Sequence, residues 1–165
     1  MTASAEPTDT VAVRPATDAD VDALVALRSL LFLDTPSGSE DNGWQGPCRQ
    51  ILLDGFAAGD LIGAVGETDD GTIVAGGIAM LRRWLPSPTN PSGLSGYIGS
   101  ITTLEPWRRR GVGRRVTELL VTTVRQRGAV DIELNATEAG EALYRSLGFI
   151  ERTGGTGLTL PAAAS

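Results

Sequence analysis

Arg108, Arg109, Arg110, Arg114 and Arg115 crowd into one short segment that also holds Gly111 and Gly113 and has no acidic residue. A strand is expected before it, over Gly96–Leu104. A helix is expected to open at Gly111, because Val112, Val116, Leu119, Leu120 and Val124 follow at helical spacing, and to end near Gly128. Such a helix start leaves backbone N–H groups unpaired and partially positive, which suits an anion. Gly111 and Gly113 let the backbone approach a phosphate closely, and successive amides can form an anion-binding nest. The arginines add bidentate phosphate contacts. Together these features describe a pyrophosphate cradle; a helix start with a merely solvated basic face is the competing reading. A dinucleotide fingerprint fails, because Val116 stands where the third glycine should be. A Walker loop fails too, having no Gly-Lys-Ser/Thr.

Composition narrows the chemistry further. The chain has no histidine, which removes Ser-His-Asp hydrolases, Cys-His proteases and His-ligated zinc enzymes. Proton transfer must then use Asp, Glu, Tyr, Cys, a terminal group or water. Cys48, the single cysteine, can form neither an internal disulfide nor a metal site alone, and is expected to act as a small buried hydrophobe. No metal is expected. Every basic side chain is arginine, and the net charge of −6 argues against nucleic acid as the main partner. A compact cationic site on an acidic protein fits a small phosphorylated ligand, while the acidic remainder could attract a cationic substrate. No apolar run is long enough for a bilayer, and Met1–Thr10 lacks the features of a secretory signal, so a cytoplasmic protein with no membrane partner is expected.

The elements that must position the cradle can be read from spacing. The 165 residues suffice for one domain, expected over residues 11–160, with tails at 1–10 and 161–165. Val11–Val13 reads as a strand. Thr17 and Asp20 resemble a capping box before a helix whose apolar face is Val21, Leu24, Val25, Leu27 and Leu31. After a loop at Asp34–Gly43, a second helix is expected over Trp44–Ala58. Leu61–Glu67 and Thr72–Leu81 read as a hairpin turning at Asp69-Asp70-Gly71. A stiff proline-rich loop, Pro86–Gly93, precedes the strand at Gly96–Leu104. Val130, Ile132 and Leu134 alternate with Asp131, Glu133 and Asn135 as another strand. Glu138–Leu147 reads as a helix stopped by Gly148, and Phe149–Arg152 with Leu158–Leu160 as a closing hairpin. This order is mixed α+β.

The segment from Tyr97 to Phe149 resembles the GNAT superfamily of N-acetyltransferases. The family's acetyl-CoA motif, Gln/Arg-x-x-Gly-x-Gly/Ala, is matched by Arg108, Gly111 and Gly113. Ile101-Thr102-Thr103 matches the strand whose backbone pairs with the pantetheine arm. Leu143-Tyr144-x-x-Leu147-Gly148-Phe149 resembles the family's Tyr-x-x-Leu-Gly-Phe ending. The resemblance implies one α/β (α+β) domain with a mixed, largely antiparallel sheet, splayed between Gly96–Leu104 and Val130–Asn135 at the cofactor site. It implies acetyl-CoA as cosubstrate and direct transfer of its acetyl group to an amine of a small molecule or protein. A non-catalytic acyl-CoA-binding sensor or interaction module is the alternative, and a homodimer is allowed by analogy.

By the same resemblance, Arg108, Arg109, Arg110, Gly111, Val112, Gly113 and Arg114 would hold the cofactor's phosphates. Tyr144 would protonate the departing thiolate, helped by nearby positive charge; a packed core aromatic is the bland reading. Glu133 is the candidate base, equally readable as a surface residue. Many family members carry a CoA-bonding Asn just after this strand. Here the matching position is Thr137, and Asn135, on the same strand face as Glu133, is the substitute. Trp107 is expected to pack beside the cradle, and Trp84 is preferred to Trp44 as a pocket wall, with the proline-rich loop and the first two helices shaping that pocket.

Overall fold

The computed structural model describes residues 10–35, 43–153 and 157–162; the expected tails at 1–10 and 161–165, and much of the Asp34–Gly43 loop, lie largely outside them. The elements run β1 (Val11–Pro15), α1 (Val21–Leu30), α2 (Gln45–Ala58), β2 (Leu61–Thr68), β3 (Ile73–Arg83), β4 (Leu94–Thr103), α3 (Val112–Gln126), β5 (Asp131–Leu134), α4 (Glu138–Ser146), β6 (Ile150–Glu151) and β7 (Leu158–Leu160). Among the described residues, one sheet carries seven strands in the order β1-β2-β3-β4-β5-β7-β6. β4 and β5 pair in parallel, and every other neighbouring pair is antiparallel. The expected α+β fold, mixed and largely antiparallel, is what forms.

Each face of the sheet has its own core. On one, α3 lays down Val112, Val116, Leu120 and Val124, all 2% exposed or less, against Val74, Ile98 and Ile132. Four residues between them are just over one helical turn, so they form one stripe. Burying each contributes about 1.5–3 kcal/mol. Gly77 on β3 makes that approach close: a Cβ there would stand 2.3 Å from the Ile101 side chain and 3.1 Å from Leu120. On the other face, α1 and α2 close over β2 and β3 with Val21, Leu24, Val25 and Leu52. Leu31 does not belong to this stripe. α1 ends at Leu30, Leu31 caps it, and it is 40% exposed because the chain turns away there.

The start of α1 is held by a charge. Asp20 accepts from the Thr17 N–H at 2.8 Å, so the shorter Asp completes the capping box. It also takes two bonds from Arg14, at 2.8 and 2.9 Å, while Arg14 bonds Glu67 on β2. The Arg14 hydrogen bond holds the buried Asp20 carboxyl below the usual carboxylate range. Its contribution is complete above the unfolded carboxylate pKa of about 4 and is lost as pH falls through the lower folded value. Asp20→Asn should therefore cost about 2 kcal/mol near neutrality. Melting curves of the two proteins should converge as the pH is taken towards about 2; a gap independent of pH would remove the ion pair from the account.

Candidate functional site

The cradle is built by the chain leaving β4. A short 3-10 turn at Glu105–Trp107 follows the strand, with Pro106 preset for it. The Arg108 Nε donates to the Thr103 carbonyl at 3.0 Å, tying the loop to the strand end. Arg109 and Gly111 both have left-handed backbones, φ 59° and 76°, and Gly111 caps α3. The Arg115 N–H makes the bond to the Gly111 carbonyl at 3.1 Å. The N–H groups of Val112, Gly113 and Arg114 therefore stand at the open helix start. Val112 is 2% exposed, so only its backbone faces that site. Gly113 faces the strand: a Cβ there would lie 3.3 Å from Thr103 Oγ1.

The five arginines do not act as one cluster. Arg110 stacks on Trp107, 5.3 Å from the ring centroid, which places Trp107 beside the cradle as expected. Arg114 bonds Glu118 at 3.0 Å and Ser146 on α4 at 2.8 Å. Arg115 turns the other way and donates to the Val11 carbonyl of β1 at 2.7 Å. Linear proximity merges these three directions, because Arg110 precedes α3 and the adjacent Arg114 and Arg115 diverge on it.

The strand before the cradle opens on one side. β4 pairs with β5 only from Ser95 to Ile98, opposite Asp131 to Leu134. After Leu134 the chain turns towards α4, so among the described residues no strand borders that edge of Gly99–Thr103. A bulge lies in the same stretch: Gly99 faces Ile78, yet Gly76 faces Thr102, one residue more in β4 than in β3. Ser100 takes up the excess with φ 56°. Ile101 lies against α3, Thr102 is buried, and Thr103 anchors Arg108. The open edge supplies backbone groups that need partners, in line with the cradle.

Tyr144 on α4 is 8% exposed and packs edge-on against Phe149, 6.1 Å between centroids. Burial alone raises its pKa, so the phenol stays protonated well into alkaline conditions. The positive charge expected to help it is not a cause of that shift. Glu133, on β5, pairs across the ladder with Tyr97 and forms an ion pair with Arg152 at 3.2 Å. Asn135 donates to the Tyr97 hydroxyl at 3.3 Å, which puts it on the Glu133 face as the alternation predicts. Thr137 caps α4 by accepting from the Gly140 N–H. Its hydroxyl thus already has a structural task.

A cleft of about 490 Å³ lies where α1 and α2 cover the sheet, bordered by Gly99 and Ser100 of the open strand. Its walls are largely apolar, with Leu24, Ile51, Ile78 and Met80 among them. Trp44 lines it and Trp84 does not; the Trp84 indole instead donates to Ser95 at 2.7 Å. The proline-rich loop is tied to itself and does not line the cleft, because Asn90 bonds the Leu94 carbonyl and Trp84 N–H bonds Gly93. Cys48, half-buried, borders it. Three polar residues at the cleft escaped the sequence reading: Arg28, Tyr97 and Ser100. Arg28 is one turn from Leu24 on α1, a spacing that could have suggested it.

Residues 25–149, well over half of the chain, match the model of the acetyltransferase (GNAT) family. The chain belongs to the GNAT acetyltransferase family and is an acetyl-CoA-dependent N-acetyltransferase. Among solved structures it is similar to a GCN5-related N-acetyltransferase from Ralstonia eutropha JMP134, with 28% identity and a TM-score of 0.75 over 89% of this chain and 97% of that one. It shares its fold with a predicted acetyltransferase with acetyl-CoA from Clostridium acetobutylicum, at 24% identity and a TM-score of 0.78 over 88% and 94%. The same holds for glucosamine-6-phosphate N-acetyltransferase from Arabidopsis thaliana, at 17% identity and a TM-score of 0.71 over 89% and 96%. No curated protein sequence matches. No helix among the described residues is long and apolar enough to cross a membrane.

Proposed function

We propose that the acetyl group passes directly from acetyl-CoA to a primary amine seated in the cleft between α1, α2 and the sheet. The observation that carries this reading is the convergence of the open β4 edge, the α3 cradle and the cleft at Gly99–Gly113. The pyrophosphate would sit on the N–H groups of Val112, Gly113 and Arg114, with Arg108, Arg109 and Arg110 around it and Gly111 setting the turn. Ile101, Thr102 and Thr103 would offer backbone partners to the pantetheine amides, and Asn135 a side-chain contact. Thr137 contributes by capping α4, which carries Tyr144.

The neutral amine nitrogen attacks the thioester carbonyl, and the tetrahedral intermediate then expels the CoA sulfur. Tyr144 gives its proton to that sulfur and is re-protonated from solvent. The proton lost by the amine leaves through Glu133 and water. Glu133 stands beside Tyr97 on the sheet, paired with Arg152. One domain over residues 11–160 does this in the cytoplasm, as a monomer or homodimer, without metal, membrane or nucleic acid.

Calorimetry with acetyl-CoA, followed by an amine panel read as CoA release, tests the whole reading. Binding with turnover supports it. Binding without turnover on any amine favours a sensor, and no binding at millimolar ligand removes the cofactor site.

A further inference from the structure

Resting on that assignment of the cleft, we propose that the acceptor is an apolar primary amine carrying a carboxylate close to its nitrogen, as a hydrophobic amino acid does, and that Arg28 receives the carboxylate. The net charge of −6 points towards a cationic acceptor, but the cleft itself carries the opposite sign. Among the described residues that line it, Arg28 is the only formally charged side chain, and no carboxylate borders the space. Among the described residues, none of the acids that dominate the composition lines the cleft.

Arg28 is held ready. It donates to the Ser100 hydroxyl on the β4 bulge, and its guanidinium lies 5.2 Å from the Phe32 centroid. Phe32 in turn stands edge-on to Trp44, 5.5 Å between centroids. Arg14, Arg49, Arg114, Arg145 and Arg152 all form ion pairs with carboxylates; Arg28 forms none among the described residues. A half-buried guanidinium beside apolar walls gains from a counter-ion, and its remaining N–H donors form a fork that matches a carboxylate. A second cation bears on the same floor. Arg82 stacks on Tyr97, 4.4 Å from the centroid, and is likewise without an ion pair among the described residues. A polyamine or aminoglycoside would enter against both.

Position sets the spacing within the acceptor. Ser100 lies where β4 has parted from β5, so a carboxylate on Arg28 is already beside the proposed reaction gap. The amine must then stand only a few bonds away. Leu24, Ile51, Ile78 and Met80 would receive an apolar side chain pointing into the cleft.

The test uses the purified full chain, acetyl-CoA and matched acceptors: L-phenylalanine against 2-phenylethylamine, L-leucine against 3-methylbutylamine, and spermidine. CoA release should favour each amino acid over its decarboxylated partner by about 10- to 100-fold in kcat/KM, the size of a charge-assisted contact. Arg28→Gln should bring that ratio close to one, and Arg28→Lys should keep part of it. Calorimetry of N-acetyl-L-phenylalanine with the CoA-loaded protein gives a readout independent of turnover, and Arg28→Gln should abolish that binding. Preference for spermidine or the decarboxylated amines overturns the inference. So does a ratio unchanged in Arg28→Gln, or failure of both L-amino acids and the acetylated product to bind. Acetyl-CoA affinity, measured on the same preparations, separates the two levels. If it is intact, only the acceptor class has failed; if it is missing, the cleft assignment falls with it.

Discussion

Gly113→Asp is expected to abolish acetyl-CoA binding at millimolar ligand while the fold survives. Three effects act together at this position. A Cβ would already stand 3.3 Å from Thr103 Oγ1, tight enough that strand or helix must give. The added carboxylate would sit among the α3 N-terminal N–H groups, filling the place of a phosphate. It would also repel the pyrophosphate at contact distance. Losing the cradle's charge-assisted bonds, at about 1.5–3 kcal/mol each, is enough to weaken a micromolar ligand beyond detection. Gly111→Asp should act through a different cause. Space is open around Gly111, but its φ of 76° strains any side chain by about 1–2 kcal/mol and tilts the first turn. Calorimetry reads binding and thermal melting reads the fold. If acetyl-CoA affinity survives both substitutions, the phosphates bind elsewhere.

Tyr144→Phe should lower kcat by about 10²–10³-fold and leave acetyl-CoA affinity nearly unchanged, the range of a lost general acid. The ring itself packs against Phe149 and would be retained, so the substitution removes little beyond the hydroxyl. Burial keeps that hydroxyl protonated, which is the form a proton donor needs. The sign has a kinetic consequence. Because the phenol is raised above 10, loss of its proton cannot produce an alkaline decline in rate below that pH. A rate that falls with a midpoint near 9 would have to come from another group. Unchanged turnover in the Phe variant would remove Tyr144 from the mechanism.

The parts of this protein legible in sequence are those with local causes. The α3 stripe Val112, Val116, Leu120 and Val124 repeats at a helical period, and all four are buried where that period puts them. Asp69-Asp70-Gly71 turns the β2–β3 hairpin, with Gly71 at φ 84°. Boundaries drifted by a residue or two, as at Leu31 and at Val130, because helix and strand ends depend on what packs beyond them.

By itself, then, the sequence determined the order of elements, the glycine turn into α3 and the tyrosine on α4, since backbone conformation and amphipathic spacing are short-range properties. Only the tertiary structure decided what those elements enclose. The β4 bulge at Ser100 exists only in the pairing with β3, where Gly99 to Thr102 lies opposite Ile78 to Gly76. The arginine run divides among the cradle, α4 and β1 because Arg108 lies in the loop before α3, while Arg114 and Arg115, adjacent on α3, point in different directions. The charge of the cleft could not be taken from composition, because a net charge sums over the whole surface. Arg28, which lines the cleft, is brought to Ser100 of β4, 72 positions further along the chain, by the packing of α1 on the sheet.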